Sequence, residues 1–115
     1  MTNSNNSSVS IIVPARNEAG TIKKIIDELP ELGETTEVIF IEGHSQDNTW
    51  SEIENVVQSY HGPKILKYAK QEGEGKGDAV RKGFEMASGE ILIIYDADMS
   101  VPTSEIYLFY QALIH

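Results

Sequence analysis

The sequence contains no cysteine, which removes disulfides, thiolate zinc sites and cysteine nucleophiles at the outset. It is also short of bases: 9 Lys and Arg stand against 18 Asp and Glu, for a net charge of −9. Such a chain lacks the positive field that a general nucleic-acid binder needs to meet phosphates. It equally lacks the basic patch of an electrostatic membrane anchor. No apolar run approaches membrane-spanning length. Residues 1–8 are polar and uncharged, with neither the basic start nor the apolar stretch of a signal peptide. They read as a frayed tail, leaving 9–115 as a single domain and a cytoplasmic location as the expectation. His44, His61 and His115 have no metal-ligand spacing and receive no role.

What remains is a hydrophobic content of 40% over 115 residues, enough for the core of one small domain. Val9–Val13 is a β-branched run stopped by Pro14, as a buried strand would be. Ile22, Ile25, Ile26 and Leu29 then form one helical stripe, ended by Pro30 and Gly33. Glu37–Ile41 is a second strand. Trp50, Ile53, Val57 and Tyr60 make a second stripe, with Asp47 or Asn48 as its N-cap. Lys64–Tyr68 is a weaker third strand. A third helix follows the glycine-rich stretch 71–77 and turns Ala79, Val80, Phe84 and Ala87 inward. Ile91–Tyr95 is the clearest strand. Pro102 opens a last helix with the stripe Ile106, Phe109, Tyr110 and Leu113.

Alternating strands and helices, with strands apolar on both faces, predict an α/β fold: a Rossmann-like parallel sheet with helices on both faces. Ligands of such sheets sit beyond the carboxyl ends of the strands. Every unusual segment here follows a strand, so the candidate chemistry gathers on one edge.

Asp96 and Asp98 lead the candidates. Two residues apart in an extended chain, they project the same way, and their mutual repulsion is relieved by a divalent cation. Oxygen donors suit Mg²⁺ or Mn²⁺, whose shell is completed by water and substrate phosphates. The plainer reading is a solvated acidic turn capping the next helix. Gly73-Glu74-Gly75-Lys76-Gly77-Asp78 opens a helix and could bring backbone amides and the Lys76 ammonium to a phosphate; it could equally be a flexible loop. Its spacing matches neither a Walker A loop nor a dinucleotide turn. Glu42 ends a strand where a carboxylate commonly accepts hydrogen bonds from a base or ribose. Asp47 reads as a helix cap. Arg16 and Glu18 either face a ligand or pair with each other.

Together, Val9–Glu18, Glu42 with Ser45-x-Asp47-x-Thr49, Gly75–Ala79, and Ser88-Gly89-Glu90 leading to Asp96-Ala97-Asp98 resemble the family 2 glycosyltransferases, of GT-A fold. Within that family the look is that of dolichyl- or polyprenyl-phosphate sugar transferases and cell-wall enzymes. The resemblance implies a UDP- or GDP-linked sugar held by Pro14, Ala15, Arg16, Glu18, Glu42, Lys76, Asp78, Asp96 and Ala97. It implies a metal at Asp96 and Asp98. It further implies an acceptor such as a polyprenyl phosphate or cell-surface glycan, and a peripheral place at the membrane face for a full-length protein. Glu42-Gly43-His44 departs from the Asp-Asp-Gly of many members. The family's chains continue past the Asp-x-Asp helix into an acceptor half with the general base. The expectation is therefore a truncated GT-A domain that supplies the donor site, self-associates and transfers little or no sugar alone. The alternative is a non-catalytic nucleotide-sugar binding fragment or subunit. A sugar-phosphate nucleotidylyltransferase would carry a glycine-rich loop where Pro14-Ala15-Arg16-Asn17-Glu18 stands.

Overall fold

The computed structural model describes residues 7–114, so positions 1–6 of the tail and His115 lie outside the described residues. The elements are β1 (Ser8–Ala15), α1 (Ile22–Glu28), β2 (Thr35–Glu42), α2 (Thr49–Ser59), β3 (Ile65–Lys70), α3 (Lys76–Met86), β4 (Ile91–Ile94) and α4 (Thr103–Ile114). The four strands form one parallel sheet in the order β3-β2-β1-β4. The chain builds outward from β1 through β2 to β3, then returns to the other side of β1. Strand order thus reverses between β1 and β4, the place where open α/β sheets hold ligands.

Pro14 does not stop β1, contrary to the sequence expectation; it pairs with Ile41 of β2. Pairing with β4 ends at Ile12–Ile94, so the missing proline N–H leaves no ladder bond unmade. β1 also starts one residue before the expected Val9. The Ser7 carbonyl accepts a 2.9 Å bond from the Glu34 amide.

The sheet's two faces are covered unequally. Val9, Ile11, Val13, Val38, Phe40 and Ile93 pack beneath Ile22, Ile25, Ile26, Ile53, Ile106 and Tyr110 of α1, α2 and α4. On the other face α3 rests on Ile39 and Ile41 through Ala79. Its close approach depends on Gly83, where a Cβ would stand 2.5 Å from the Ile12 side chain. Docked in that way, α3 leaves Phe84 exposed rather than inward. In α4 the buried residues are Thr103, Ile106 and Tyr110. Turning Tyr110 inward rotates the neighbouring Phe109, and Leu113 with it, onto the exposed flank. Trp50 packs on Tyr68 of β3 at 5.4 Å between ring centres, with the Lys70 ammonium 4.8 Å over the indole.

The amino end of the sheet is tied by Glu37, which is only 3% exposed. Its carboxylate accepts from Ser10 Oγ at 2.7 Å, from Ser88 N at 3.0 Å and from Ser88 Oγ at 2.9 Å. Lys67 of β3 pairs with it at 2.6 Å. Gly89 comes so close that an added Cβ would stand 2.6 Å from Ser10 Oγ, and its amide donates to that hydroxyl at 2.9 Å. The Ser88-Gly89 pair is thereby explained as the joint between β4 and the sheet. Burial pushes the Glu37 carboxyl upward, but the Lys67 ammonium and the Ser88 and Ser10 donors outweigh it and hold it below the ordinary range.

A lowered carboxyl stabilises the fold above its unfolded value, about 4.3 for glutamate. That contribution is lost as pH falls through the folded value. Glu37→Gln is therefore expected to cost about 1–3 kcal/mol near neutral pH and to flatten the acid limb of stability. Denaturant titrations across pH check this; an unchanged acid limb would contradict it. A second expectation concerns β4, whose outer edge is unpaired among the described residues and whose Leu92 and Ile94 are 40% and 44% exposed. An apolar, unpaired edge is a template for another chain. The 115-residue polypeptide should self-associate at micromolar concentration in light scattering, and Ile94→Lys should shift it toward monomer. A monodisperse unmutated monomer would refute the expectation.

Candidate functional site

The segments following β1, β2, β3 and β4 meet at the carboxyl edge around a cleft of about 650 Å³, within the range of small-ligand sites. Pro14, Ala15, Arg16 and Glu18 line it from β1, Lys76 from the start of α3, and Asp96, Ala97 and Asp98 from the end of β4. Eight of the ten candidate residues are thus brought together. Glu42 and Asp78 are not in the lining. Glu42 is buried and turns its carboxylate onto the Ser45 amide of its own loop. Asp78 accepts from Arg81 at 2.7 Å and from Gln71 at 3.0 Å; those two donors, Arg81 first, hold its carboxyl below the ordinary range.

Asp96-Ala97-Asp98 is not extended. β4 ends at Ile94, and the Met99 amide reaches back to the Asp96 carbonyl at 3.2 Å, closing a turn with Met99 at a φ of 56°. The turn is fastened from both sides. Tyr95 donates its hydroxyl to the Val101 carbonyl at 2.6 Å, and Thr21 Oγ1 lies 2.9 Å from the Ala97 carbonyl. The buried Tyr95 hydroxyl is pushed up chiefly by that burial.

The two aspartates differ in their surroundings. Asp96 is already neutralised by Lys76, whose ammonium sits 2.7 and 3.0 Å from its two oxygens. Asp98 accepts from the Ser100 amide at 2.9 Å; this bond leads in holding its carboxyl below the ordinary range. Its charge is felt nearby: Glu18 is raised by burial first, then by the fields of Asp98 and Asp47. No Arg16–Glu18 ion pair forms among the described residues, and Arg16 is exposed at the cleft.

An uncompensated negative field on oxygen donors fits a hard divalent cation. No cluster of three or more acidic or histidine ligands exists among the described residues. A cation here would take one or two of the Asp96 and Asp98 carboxylates and fill its shell from water and phosphate, the pattern of Mg²⁺ and Mn²⁺.

The remaining motif, Ser45-x-Asp47-x-Thr49, holds the β1–α1 loop in place. Asn17 N donates to Ser45 Oγ at 2.9 Å, Glu18 N to Thr49 Oγ1 at 2.9 Å, and Ala19 N to Asp47 Oδ2 at 3.2 Å. Glu52 accepts from Gly20 N at 2.8 Å and Ile22 N at 2.9 Å. Its carboxylate supplies the anion that the first turn of α1 lacks and the helix dipole favours. Asp47 also accepts from Thr49 N at 2.9 Å, so it secures the start of α2 from one residue ahead of the N-cap position, Asn48, which makes no side-chain cap.

Sequence reasoning missed His44 and Gln71, both in the cleft wall with Ile41, Gly43, Glu74, Gly75 and Ala79. Gln71 is buried at the end of β3 and donates to Gly75 O at 2.8 Å. Gly75, at a φ of 86°, is the N-cap position just ahead of α3. His44 has a φ of 57°, and its Nε2 lies 2.7 Å from the Gly73 carbonyl. The available signal was position alone: both residues sit in the segments that directly follow strands.

The chain matches the family described as glycosyl transferase family 2 over residues 10–115. It is 31% identical over 109 residues to dolichol-phosphate mannosyltransferase of Saccharomyces cerevisiae, covering 90% of this chain and 40% of that protein. The dolichol-phosphate mannosyltransferase of Pyrococcus furiosus is 27% identical, with 91% of this chain and 30% of that protein covered. A solved mannosyltransferase of Pyrobaculum calidifontis, in complex with GDP-Man and Mn²⁺, superimposes with a TM-score of 0.75 at 28% identity, over 92% of this chain and 31% of the other. The chain thus spans well under half the length of these relatives. It belongs to the family 2 glycosyltransferases.

Proposed function

We propose that the chain is the donor-binding part of a glycosyltransferase that takes a nucleoside-diphosphate sugar together with Mg²⁺ or Mn²⁺. The observation that carries this reading is the meeting of Lys76, Glu18, Asp96 and Asp98 in one cleft at the β1–β4 switch point. A chain with net charge −9 binds a diphosphate only where cations are placed for it. Lys76 is one such cation and lies at the start of α3, where backbone amides also favour an anion. When bound, a divalent cation would neutralise the diphosphate and ease its departure; Asp98 and Asp96 are the residues to hold it. Arg16 and Glu18, beside them, contact the nucleotide. The superimposed mannosyltransferase complex with GDP-Man and Mn²⁺ supports the same ligand class.

The reaction of the whole protein is an inverting displacement. An acceptor oxygen attacks the anomeric carbon and the bond from that carbon to the diphosphate oxygen breaks; a glycan hydroxyl passes its proton to a base as it attacks, whereas the already ionised oxygen of a polyprenyl phosphate has none to pass. The acceptor class is a polyprenyl phosphate, which the names of the yeast and Pyrococcus relatives support, or a cell-surface glycan. The work would be done at the cytoplasmic membrane face. No helix among the described residues is long and apolar enough to cross a membrane. A second reading, a nucleotide-sugar binding subunit without turnover, rests on the same cleft and the same ligand class.

Calorimetric titration with UDP and GDP tests the first reading. Mn²⁺ should strengthen binding, and Asp98→Ala should reduce that gain by at least about tenfold, the worth of one charge-assisted contact, with thermal unfolding unchanged. Equal affinity with and without chelator in the unmutated protein would sink it. With the general base outside these residues, as the family resemblance implies, the 115-residue polypeptide should transfer no sugar to a hydroxyl acceptor at a measurable rate, such a base being worth about two to four orders of magnitude. Robust transfer to an added hydroxyl acceptor would show that the base lies within these residues.

A further inference from the structure

His44 stands out as a histidine in a backbone conformation that glycine adopts without steric cost, at a φ of 57°. Something must hold it there, and the structure provides one contact: Nε2 at 2.7 Å from the Gly73 carbonyl. A carbonyl oxygen only accepts, so Nε2 carries the proton and donates. The carbonyl belongs to the glycine-rich loop 73–77, which has few side chains of its own to anchor it. Gln71, at the loop's root, donates to Gly75 O. Among the described residues, two side chains from other strand–helix connections hydrogen-bond this loop: Asp96 takes the Lys76 ammonium, and His44 takes the backbone, at the Gly73 carbonyl. The β2–α2 and β3–α3 connections that it joins both line the cleft, and the loop it grips leads into Lys76.

We propose that His44 is a positioning residue for the ligand site: its Nε2–H latches the glycine-rich loop at Gly73 so that the loop and the start of α3 are already in place when the nucleoside diphosphate arrives. The proposal rests on the donor-site reading above for the identity of the ligand, and on the observed bond for the latch itself. Preorganisation of this kind raises affinity by ordering the loop before binding rather than during it.

The backbone geometry makes the test unusually separable. His44→Gly removes the latch but suits the left-handed backbone, so its thermal stability should be equal to or above that of the unmutated protein. Its affinity for UDP or GDP, read by calorimetry, should fall by about three- to tenfold, the net worth of one hydrogen bond. Amide hydrogen exchange in the ligand-free variant should accelerate at residues 73–77 and not in β1 or β2. His44→Gln keeps a side-chain N–H donor and should restore part of both the affinity and the protection. Unchanged exchange at 73–77 in His44→Gly would overturn the latch. Accelerated exchange with unchanged affinity would overturn its role in binding. Absence of UDP or GDP binding by the unmutated protein would instead defeat the donor-site reading, together with the ligand half of this one, while the exchange data would still decide the latch.

Discussion

Where β1 stops and the cleft begins, a run of backbone amides from Asn17 to Ile22 has to find acceptors, because a loop cannot floor a ligand site with its donors unpaired. The β2–α2 segment provides them. Ser45, Asp47, Thr49 and Glu52 take the amides of Asn17, Glu18, Ala19, Gly20 and Ile22. The rest of the site depends on that clamp. It places Glu18 facing Asp98, and it orients Thr21, which reaches the Ala97 carbonyl and so ties the acidic turn to the same frame. The far end of the short α1 is closed similarly: Lys64 donates to the Ile26 carbonyl at 2.7 Å, although burial holds that ammonium below its ordinary range.

The cleft's electrostatics follow from how this acidic chain spends its few cations. Lys67 is committed to Glu37 at the opposite end of the sheet, Arg81 to Asp78 on the flank of α3, and Lys76 to Asp96 inside the cleft. Asp98 and Glu18 are left near each other, and the rise in Glu18, led by its burial, also carries the repulsion of Asp98 and Asp47. On the proposed reading, Lys76 serves the diphosphate and Asp98 the metal. The Lys76–Asp96 pair marks the boundary: a ligand carrying both partners would draw the ammonium toward phosphate and free the carboxylate for the cation.

Much of this was legible in the residues. Strand–helix alternation gave the parallel sheet, and the rule that ligands sit past strand ends pointed to Pro14, Ala15, Arg16, Glu18, Lys76 and Asp96 to Asp98, which the structure brings to one cleft. Periodicity was less informative for α4, because Phe109 and Leu113 belong to an apolar helix that meets the core along one narrow stripe only. Side-chain direction was not readable at all. Glu42 looks like a ligand from its place at a strand end, yet its carboxylate accepts from the Ser45 amide of its own loop. Asp96 and Asp98 converge on the cleft through a turn rather than an extended strand, a detail set by Tyr95 and Met99. His44 was invisible because its role depends on a left-handed φ and on a carbonyl far away in sequence.

The central claim is that the cation site lies in the Asp96–Asp98 turn facing Glu18. Paramagnetic broadening of backbone amide signals by substoichiometric Mn²⁺, with UDP or GDP present, tests it directly. The account predicts loss of signals from residues 96–100 and 16–20, reversed by chelator, with the Glu37 and Ser88 end of the sheet untouched. Broadening centred on Glu72, Asp78 and Glu85 instead, or none anywhere, would contradict it.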